Sequence, residues 1–290
     1  SATGGVQLAD YGGYARQIAV SPDGRYVYAF HPNYDPYPDE LYVYGVDPLT
    51  GRMSLIGDGV RDPEGIASIE EINSIAVSPD GRHVYVSASE ENALSVFEND
   101  GTGRLTAIAC YKNGEDGITG VDLDGSIQVS PNGLNVYVAG IGSDSIAIFD
   151  RQATTGVLEY RGRVRQNGLT VDGIVGPRQM ELSPDGDYLY VISTGRFGSA
   201  SAVAVFSCDP VDGDLDYVGC IKHGDDGIDI LENCYDLAVS PDGGQVYVVS
   251  LNDRNLVTFN VNSTSGMIEY ADHFGFYDNE IFNYPSHVDA

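Results

Sequence analysis

The chain has 290 residues, a length that fits one propeller or barrel domain spanning 1–290 without forcing a split. Hydrophobic residues at 42% and aromatics at 10% are enough to build a core, which excludes a disordered chain. Forty-three acidic against 15 basic residues give a formal charge of -28, a field that repels phosphate backbones and anionic lipid heads and so excludes nucleic acid as a partner.

The chain opens on SATGGVQLAD, Ser1 to Asp10, which lacks the basic start and apolar centre of a signal peptide. It aligns with the turn and strand STSGMIEYAD that ends at Asp272. From near residue 16 a unit begins that recurs near 73, 125, 178 and 235. Its marker is SPDG, or once SPNG, starting at Ser21, Ser78, Ser130, Ser183 and Ser240, at intervals of 57, 52, 53 and 57 residues. A first strand (IAV, IAV, IQV, MEL, LAV) leads into each marker, and a second of alternating apolar residues (RYVYAF, RHVYVS, LNVYVA, DYLYVI, GQVYVV) leaves it. Proline fixes φ and glycine accepts positive φ, so the marker is a tight turn. A third strand (LYVYGV, LSVFEN, IAIFDR, AVAVFS, LVTFNV), a glycine-bearing hairpin and a fourth strand (RMSLIG, RLTAIA, VLEYRG, DLDYVG, MIEYAD) complete each unit. The last stretch, YPSHVDA from Tyr284 to Ala290, reads as another first strand. No helical periodicity appears, and no apolar run reaches the ~18 residues that cross a bilayer, so no membrane insertion is expected.

Repeated four-stranded antiparallel units predict an all-β propeller with five complete blades and a split or truncated sixth. Either the sequence is trimmed from a longer protein or another chain completes the sixth blade; in the second case the unpaired terminal strands offer a route to self-assembly. The segments IAVSPDGRYVYAF, IAVSPDGRHVYVSASEENALSVF and LAVSPDGGQVYVVS resemble the YVTN-repeat and lactonase-like β-propeller family, over nearly the whole chain. That resemblance implies the fold. It implies no single activity, because such propellers include sugar-lactone hydrolases as well as surface-layer modules.

In such a blade the SPDG turns and the hairpins share one face, and the second-to-third and fourth-to-first connections share the other. Connections longer than a turn requires are where binding sits, so function is expected on the second face. Its fourth-to-first connections carry an acidic residue at one recurring place: Glu64, Asp116, Asp172, Asp226 and Glu280, mostly followed by Gly-Ile. Two readings stand. Each carboxylate caps its own turn while the isoleucine plugs between blades, or the acids ring the channel mouth and hold Ca²⁺ through Asp116, Asp122, Asp124, Asp172 and Asp226. The connection HPNYDPYPDE gives His31, Tyr34, Tyr37, Asp35 and Asp39 as aromatic faces and acceptors suited to a carbohydrate, and STGRFGSAS puts Arg196 and Phe197 at the matching site of the fourth copy.

No HExxH, GxSxG or phosphate-cradling glycine loop appears. The best catalytic set is His223, beside Asp225 and Asp226, with Arg178 or Arg196 across the mouth as the oxyanion-stabilising cation. Of the four cysteines, Cys220 and Cys234 are expected to close a disulfide around one excursion, with Cys110 and Cys208 left as thiols. Acidity with only two lysines, Lys112 and Lys222, reads as a surface solvated in salty or divalent-rich water. The sequence thus favours an extracellular or cell-surface (or periplasmic) binding module for a carbohydrate or protein ligand, with Ca²⁺ as its candidate stabilising ion. The alternative is a lactonase-like hydrolase acting on a sugar lactone.

Overall fold

The computed structural model describes residues 17–31, 40–57, 60, 66–122, 125–196 and 199–275. They form five four-stranded antiparallel sheets, each with its strands in chain order. Blade 1 holds β1 (Gln17–Val20), β2 (Tyr26–His31), β3 (Glu40–Val46) and β4 (Met53–Leu55). Blade 2 holds β5 (Ile72–Val77), β6 (His83–Ala88), β7 (Ala93–Asn99) and β8 (Leu105–Lys112), and blade 3 holds β9 (Ile127–Val129), β10 (Asn135–Gly140), β11 (Ser145–Arg151) and β12 (Leu158–Arg165). Blade 4 holds β13 (Pro177–Leu182), β14 (Tyr188–Ser193), β15 (Ala202–Cys208) and β16 (Leu215–Lys222), and blade 5 holds β17 (Cys234–Val239), β18 (Gln245–Ser250), β19 (Asn255–Val261) and β20 (Ile268–Gly275). The first strands β1, β5, β9, β13 and β17 follow one another around the axis, each touching the next. The protein is an all-β propeller, as its repeats predict. The terminal segments assigned to a sixth blade lie outside the described residues.

The SPDG turn owes its recurrence to a compact set of bonds. In every copy the serine hydroxyl accepts from the N–H five residues on, at 2.9 to 3.0 Å, and donates to the Asp or Asn two residues on, at 2.5 to 2.7 Å. The serine hydroxyl is the main reason that the carboxyls of Asp23, Asp185 and Asp242 sit below their ordinary range. Replacing Ser183 by alanine strands the Tyr188 N–H and frees Asp185. The expected cost is about 1–2 kcal/mol, read as a lower urea midpoint at unchanged m-value.

Neighbouring blades are latched by side chains of the second strand. Tyr85, Tyr137 and Tyr190, all fully buried, donate their hydroxyls to the carbonyls of Gly156, Gly213 and Gly266 in the hairpin of the next blade. In blade 1 the donor shifts to Tyr26, which bonds Gly101, while the Tyr28 hydroxyl accepts from Asn99. These hairpins need glycine for two reasons. Gly156 adopts φ 72, and a Cβ there would lie 2.1 Å from the His83 ring of the preceding blade. Between the latches, the fully buried phenylalanines of the third strands, Phe97, Phe149, Phe206 and Phe259, fill the gaps between sheets.

The junction of blades 2 and 3 carries the one buried guanidinium among the described residues. Arg151, whose side chain is 1% exposed, donates to the Tyr85 hydroxyl at 2.7 Å, the Gly133 carbonyl at 2.8 Å, Asp80 at 2.8 Å and His83 Nδ1 at 2.8 Å. Because arginine only donates, His83 accepts at Nδ1 and carries its proton on Nε2, a buried atom without a hydrogen-bond partner.

Candidate active site

The second-to-third connections are shorter than the sequence suggested in blades 2, 3 and 5. They are the turns 89–92, 141–144 and 251–254, each closed by a residue in the left-handed region: Asn92 (φ 51), Asp144 (φ 51) and Arg254 (φ 55). Such turns leave no room for a loop site. Blade 4 differs, because its connection runs from Thr194 to Ser201. Gly195 turns it at φ 66, where a Cβ would meet the Ser199 carbonyl oxygen at 2.3 Å. The loop is tied down by Thr194 and Gly195 N–H bonds to the Gly176 and Val175 carbonyls. Arg196 ties it on the other side, donating to Asp144 at 2.7 Å and to the Ile141 carbonyl in blade 3.

The described residues of this loop line a cavity of about 550 Å³ on the expected face of the propeller. Arg178, near the start of β13, lines it from the axis. Thr194, Gly195 and Ser199 to Ser201 line it from the loop, His223, Glu232 and Asn233 from the connection between blades 4 and 5, and Asn252 from the blade 5 turn. The Arg178 guanidinium lies over the Tyr235 ring, 4.1 Å from its centroid, which holds its plane by cation–π attraction. Ser201 stitches the walls together: its hydroxyl donates to the Thr194 carbonyl at 2.7 Å and accepts from the Asn233 N–H at 3.0 Å.

His223 is fixed from both ends. Its backbone N–H donates to the Ser201 carbonyl at 2.9 Å, and its Nδ1 accepts from the Leu231 N–H at 3.2 Å. With Nδ1 occupied as an acceptor, the neutral ring carries its proton on Nε2. Asp253 lies 3.6 Å from Nδ1 and is itself held by the Glu232 N–H and the Ser250 hydroxyl. The acid beside His223 is therefore Asp253, and not Asp225 or Asp226 of its own connection.

The structure thus brings together two of the three catalytic candidates, His223 and Arg178. The third, Arg196, anchors the loop that lines the cavity beside them. Sequence reasoning passed over Glu232, Asn233, Asn252 and Asp253. The polar stretches LENCYD and LNDRN hold these residues, but other units carry similar ones, such as IEEINS with SEENAL in the second, so the sequence offered no signal that singles them out.

The carboxylates proposed for calcium take up local duties. Asp116 and Asp226 occupy left-handed turn positions (φ 48 and 49). Asp172 accepts from its neighbour Gly173 N–H at 2.8 Å and from Gln166, and pairs with Lys222; the Lys222 ammonium leads the causes that hold its carboxyl below the ordinary range. Asp122 accepts from the Ser143 hydroxyl at 2.8 Å. Ile118 and Ile174, which follow two of these turns, are buried between blades. Among the described residues no three His, Cys, Asp or Glu side chains approach closely enough to hold a metal ion. Asp124, Phe197, Glu64, Glu280, Tyr34, Asp35, Tyr37, Asp39 and the His31 side chain lie outside the described residues.

The expected disulfide is not formed, and all four cysteines are free. Cys220 packs into the core between blades 3 and 4, under Gly173, whereas Cys234 is sealed into the core between blades 4 and 5. The two thiols sit on opposite faces of one blade, which rules out a bond between them. Burial pushes the Cys208 and Cys234 thiols up to about 12, so both are inert. The covalent argument for an extracellular setting falls with the disulfide.

Residues 73–223, just over half of the chain, match the family described as Lactonase, 7-bladed beta-propeller. The chain belongs to this lactonase family. An uncharacterized protein of Staphylococcus epidermidis is 28% identical over 183 residues, covering 61% of this chain and 51% of that protein, so the chain spans about half the length of that relative. A 6-phosphogluconolactonase of Formosa agariphila is 24% identical over 266 residues, covering 88% of this chain and 70% of the relative. Among solved structures, the periplasmic gluconolactonase of Pseudomonas aeruginosa superposes with a TM-score of 0.68 at 19% identity, covering 90% of this chain and 70% of that one. A Lactobacillus plantarum protein superposes with a TM-score of 0.70 at 17% identity, over 90% of this chain and 71% of that one. At these identities the superpositions speak for the fold alone.

Membership of a lactonase family, with relatives named 6-phosphogluconolactonase, overturns the expectation of a surface binding module. Among the described residues no helix is long and apolar enough to cross a membrane.

Proposed function

We propose that this lactonase-family chain is a lactonase-type hydrolase acting on a sugar lactone, with the cavity between blades 4 and 5 as its active site. The observation that carries the reading is the convergence of Arg178 and His223 on one 550 Å³ cavity from separate parts of the chain. Hydrolysis of a lactone needs a water made nucleophilic, a charge to receive the carbonyl oxygen as it becomes an oxyanion, and a proton for the ring oxygen as the C–O bond breaks. Arg178 supplies the charge, held in place by Tyr235. His223 lines the cavity with its Nδ1 taken up by the Leu231 N–H, which leaves Nε2 as the donor suited to protonation of the leaving oxygen. Glu232 lines the same cavity, and we assign its carboxylate to accept the proton of the attacking water. The hydroxyl and amide groups of Thr194, Ser199, Asn233 and Asn252 offer mixed donors and acceptors for sugar hydroxyls.

The test is hydrolysis of glucono-1,5-lactone by the pure protein, followed by proton release against the spontaneous rate. The expected result is catalysed turnover that His223→Asn lowers about 10²-fold in kcat with KM little changed, since general acid–base groups contribute on that scale. A spontaneous rate unaltered by protein, across a panel of five- and six-membered sugar lactones, would remove the reading.

A further inference from the structure

We propose that this site selects sugar lactones without a phosphate group over phosphorylated ones; the inference rests on the lactonase reading of the same cavity. A phosphate monoester brings about 1.5 to 2 negative charges, and proteins meet it with clustered arginines, a helix N-terminus or a P-loop lysine. The cavity presents one cation, Arg178, among the described residues. Against it stand the Glu232 carboxylate in the wall and Asp253 directly behind His223. Of the cations on the flanking elements, Arg254 closes the blade 5 turn and is engaged in an interaction of its own, and two more are committed elsewhere. Arg196 is turned to Asp144 and the Ile141 carbonyl, and Lys222 to Asp172. The described residues contain no α-helix whose N-terminus could take the charge.

One guanidinium is enough for the oxyanion that develops on a lactone carbonyl, and for the single carboxylate of the product. It does not also neutralise a phosphate dianion several ångströms away. The remaining contacts, hydroxyls and amides, match the hydroxyls of an unmodified sugar. The whole-chain charge of -28 acts in the same direction, repelling a polyanionic substrate during approach.

Gluconate and 6-phosphogluconate make the test, because they share the carboxylate and differ only in the phosphate. Their binding is measured by calorimetry at fixed ionic strength, alongside kcat/KM for the two parent lactones. Gluconate is expected to bind at least tenfold tighter, with the same order in kcat/KM. Replacing the wall carboxylate, Glu232→Lys, is expected to tighten 6-phosphogluconate binding at least tenfold, an effect read by binding alone. Tighter binding of 6-phosphogluconate by the unaltered protein, with lactone turnover intact, would overturn the selectivity and leave the lactonase reading standing. Failure to bind either acid, together with absence of turnover, would overturn both.

Discussion

Arg178→Ala is expected to lower kcat/KM for lactone hydrolysis by about 10² to 10³-fold, the scale on which single oxyanion-stabilising donors contribute. Alanine removes the cation and leaves Glu232 as the dominant charge in the wall, so the developing oxyanion forms beside a carboxylate. Most of the loss should fall on kcat, because the charge is needed in the transition state more than in the neutral substrate. Arg178→Lys keeps the charge but not the planar stack on Tyr235, and should recover only part of the rate. Melting curves should stay close to those of the unaltered protein, since the guanidinium stands at a cavity and not in a core. A variant that keeps full activity would place the oxyanion elsewhere and remove Arg178 from the site.

The largest effect on stability is expected at Arg151, the one buried arginine among the described residues. Arg151→Ala deletes the shared donor of Tyr85, Gly133, Asp80 and His83 and opens a cavity between blades 2 and 3. Breaking a buried charge cluster by removing one partner costs about 3–5 kcal/mol. The sign of the pH dependence follows from the partners. Burial pushes the Asp80 carboxyl up, but the Ser78 hydroxyl and Arg151 outweigh it and hold it at about 2, below the ordinary 3.8. That stability is present above pH 3.8 and is lost as pH falls toward 2. After discount for an Asp80 side chain that is 35% exposed, it is worth about 1 kcal/mol. Burial, and then the charge of Arg151, lower the His83 imidazole below its ordinary 6.5, so this contribution too is lost as pH falls below 6.5. Both contributions therefore vanish in acid. The gap between the unaltered protein and Arg151→Ala, measured by urea denaturation from pH 7 to 3, should narrow steadily. A gap below about 1 kcal/mol at pH 7 would show that the cluster carries little of the junction.

How far the sequence reveals this protein depends on whether a residue acts within its own repeat or across repeats. The SPDG turns, the strands beside them and the tyrosines of the second strands are local and periodic, so their spacing exposes the propeller and which connections share each of its faces. Ile118 and Ile174 as plugs between blades were legible for the same reason. The site is not periodic. His223 and Arg178 lie on separate elements of the chain, and the acid beside His223 is Asp253, thirty residues further on. Adjacency in sequence pointed to Asp225 and Asp226 because spacing alone does not say which turn faces which. The disulfide failed on similar ground: Cys220 and Cys234 are close along the chain, but a sheet stands between their side chains. Arg196 shows the converse, since its residue type suited a ligand while its geometry suited an anchor.

The tyrosine-to-glycine latches have a direction. Each hydroxyl reaches from one blade to the hairpin of its successor, so a single unit carries a hook on its second strand and an eye on its hairpin. A unit copied in tandem arrives with both halves and joins its neighbours without any new invention at the seam. Growth by duplication is thus written into the joint itself, and later divergence can be spent on the loops. Blade 4 fits that pattern, because its seams to blades 3 and 5 keep the common fastening while its longer loop lines a cavity.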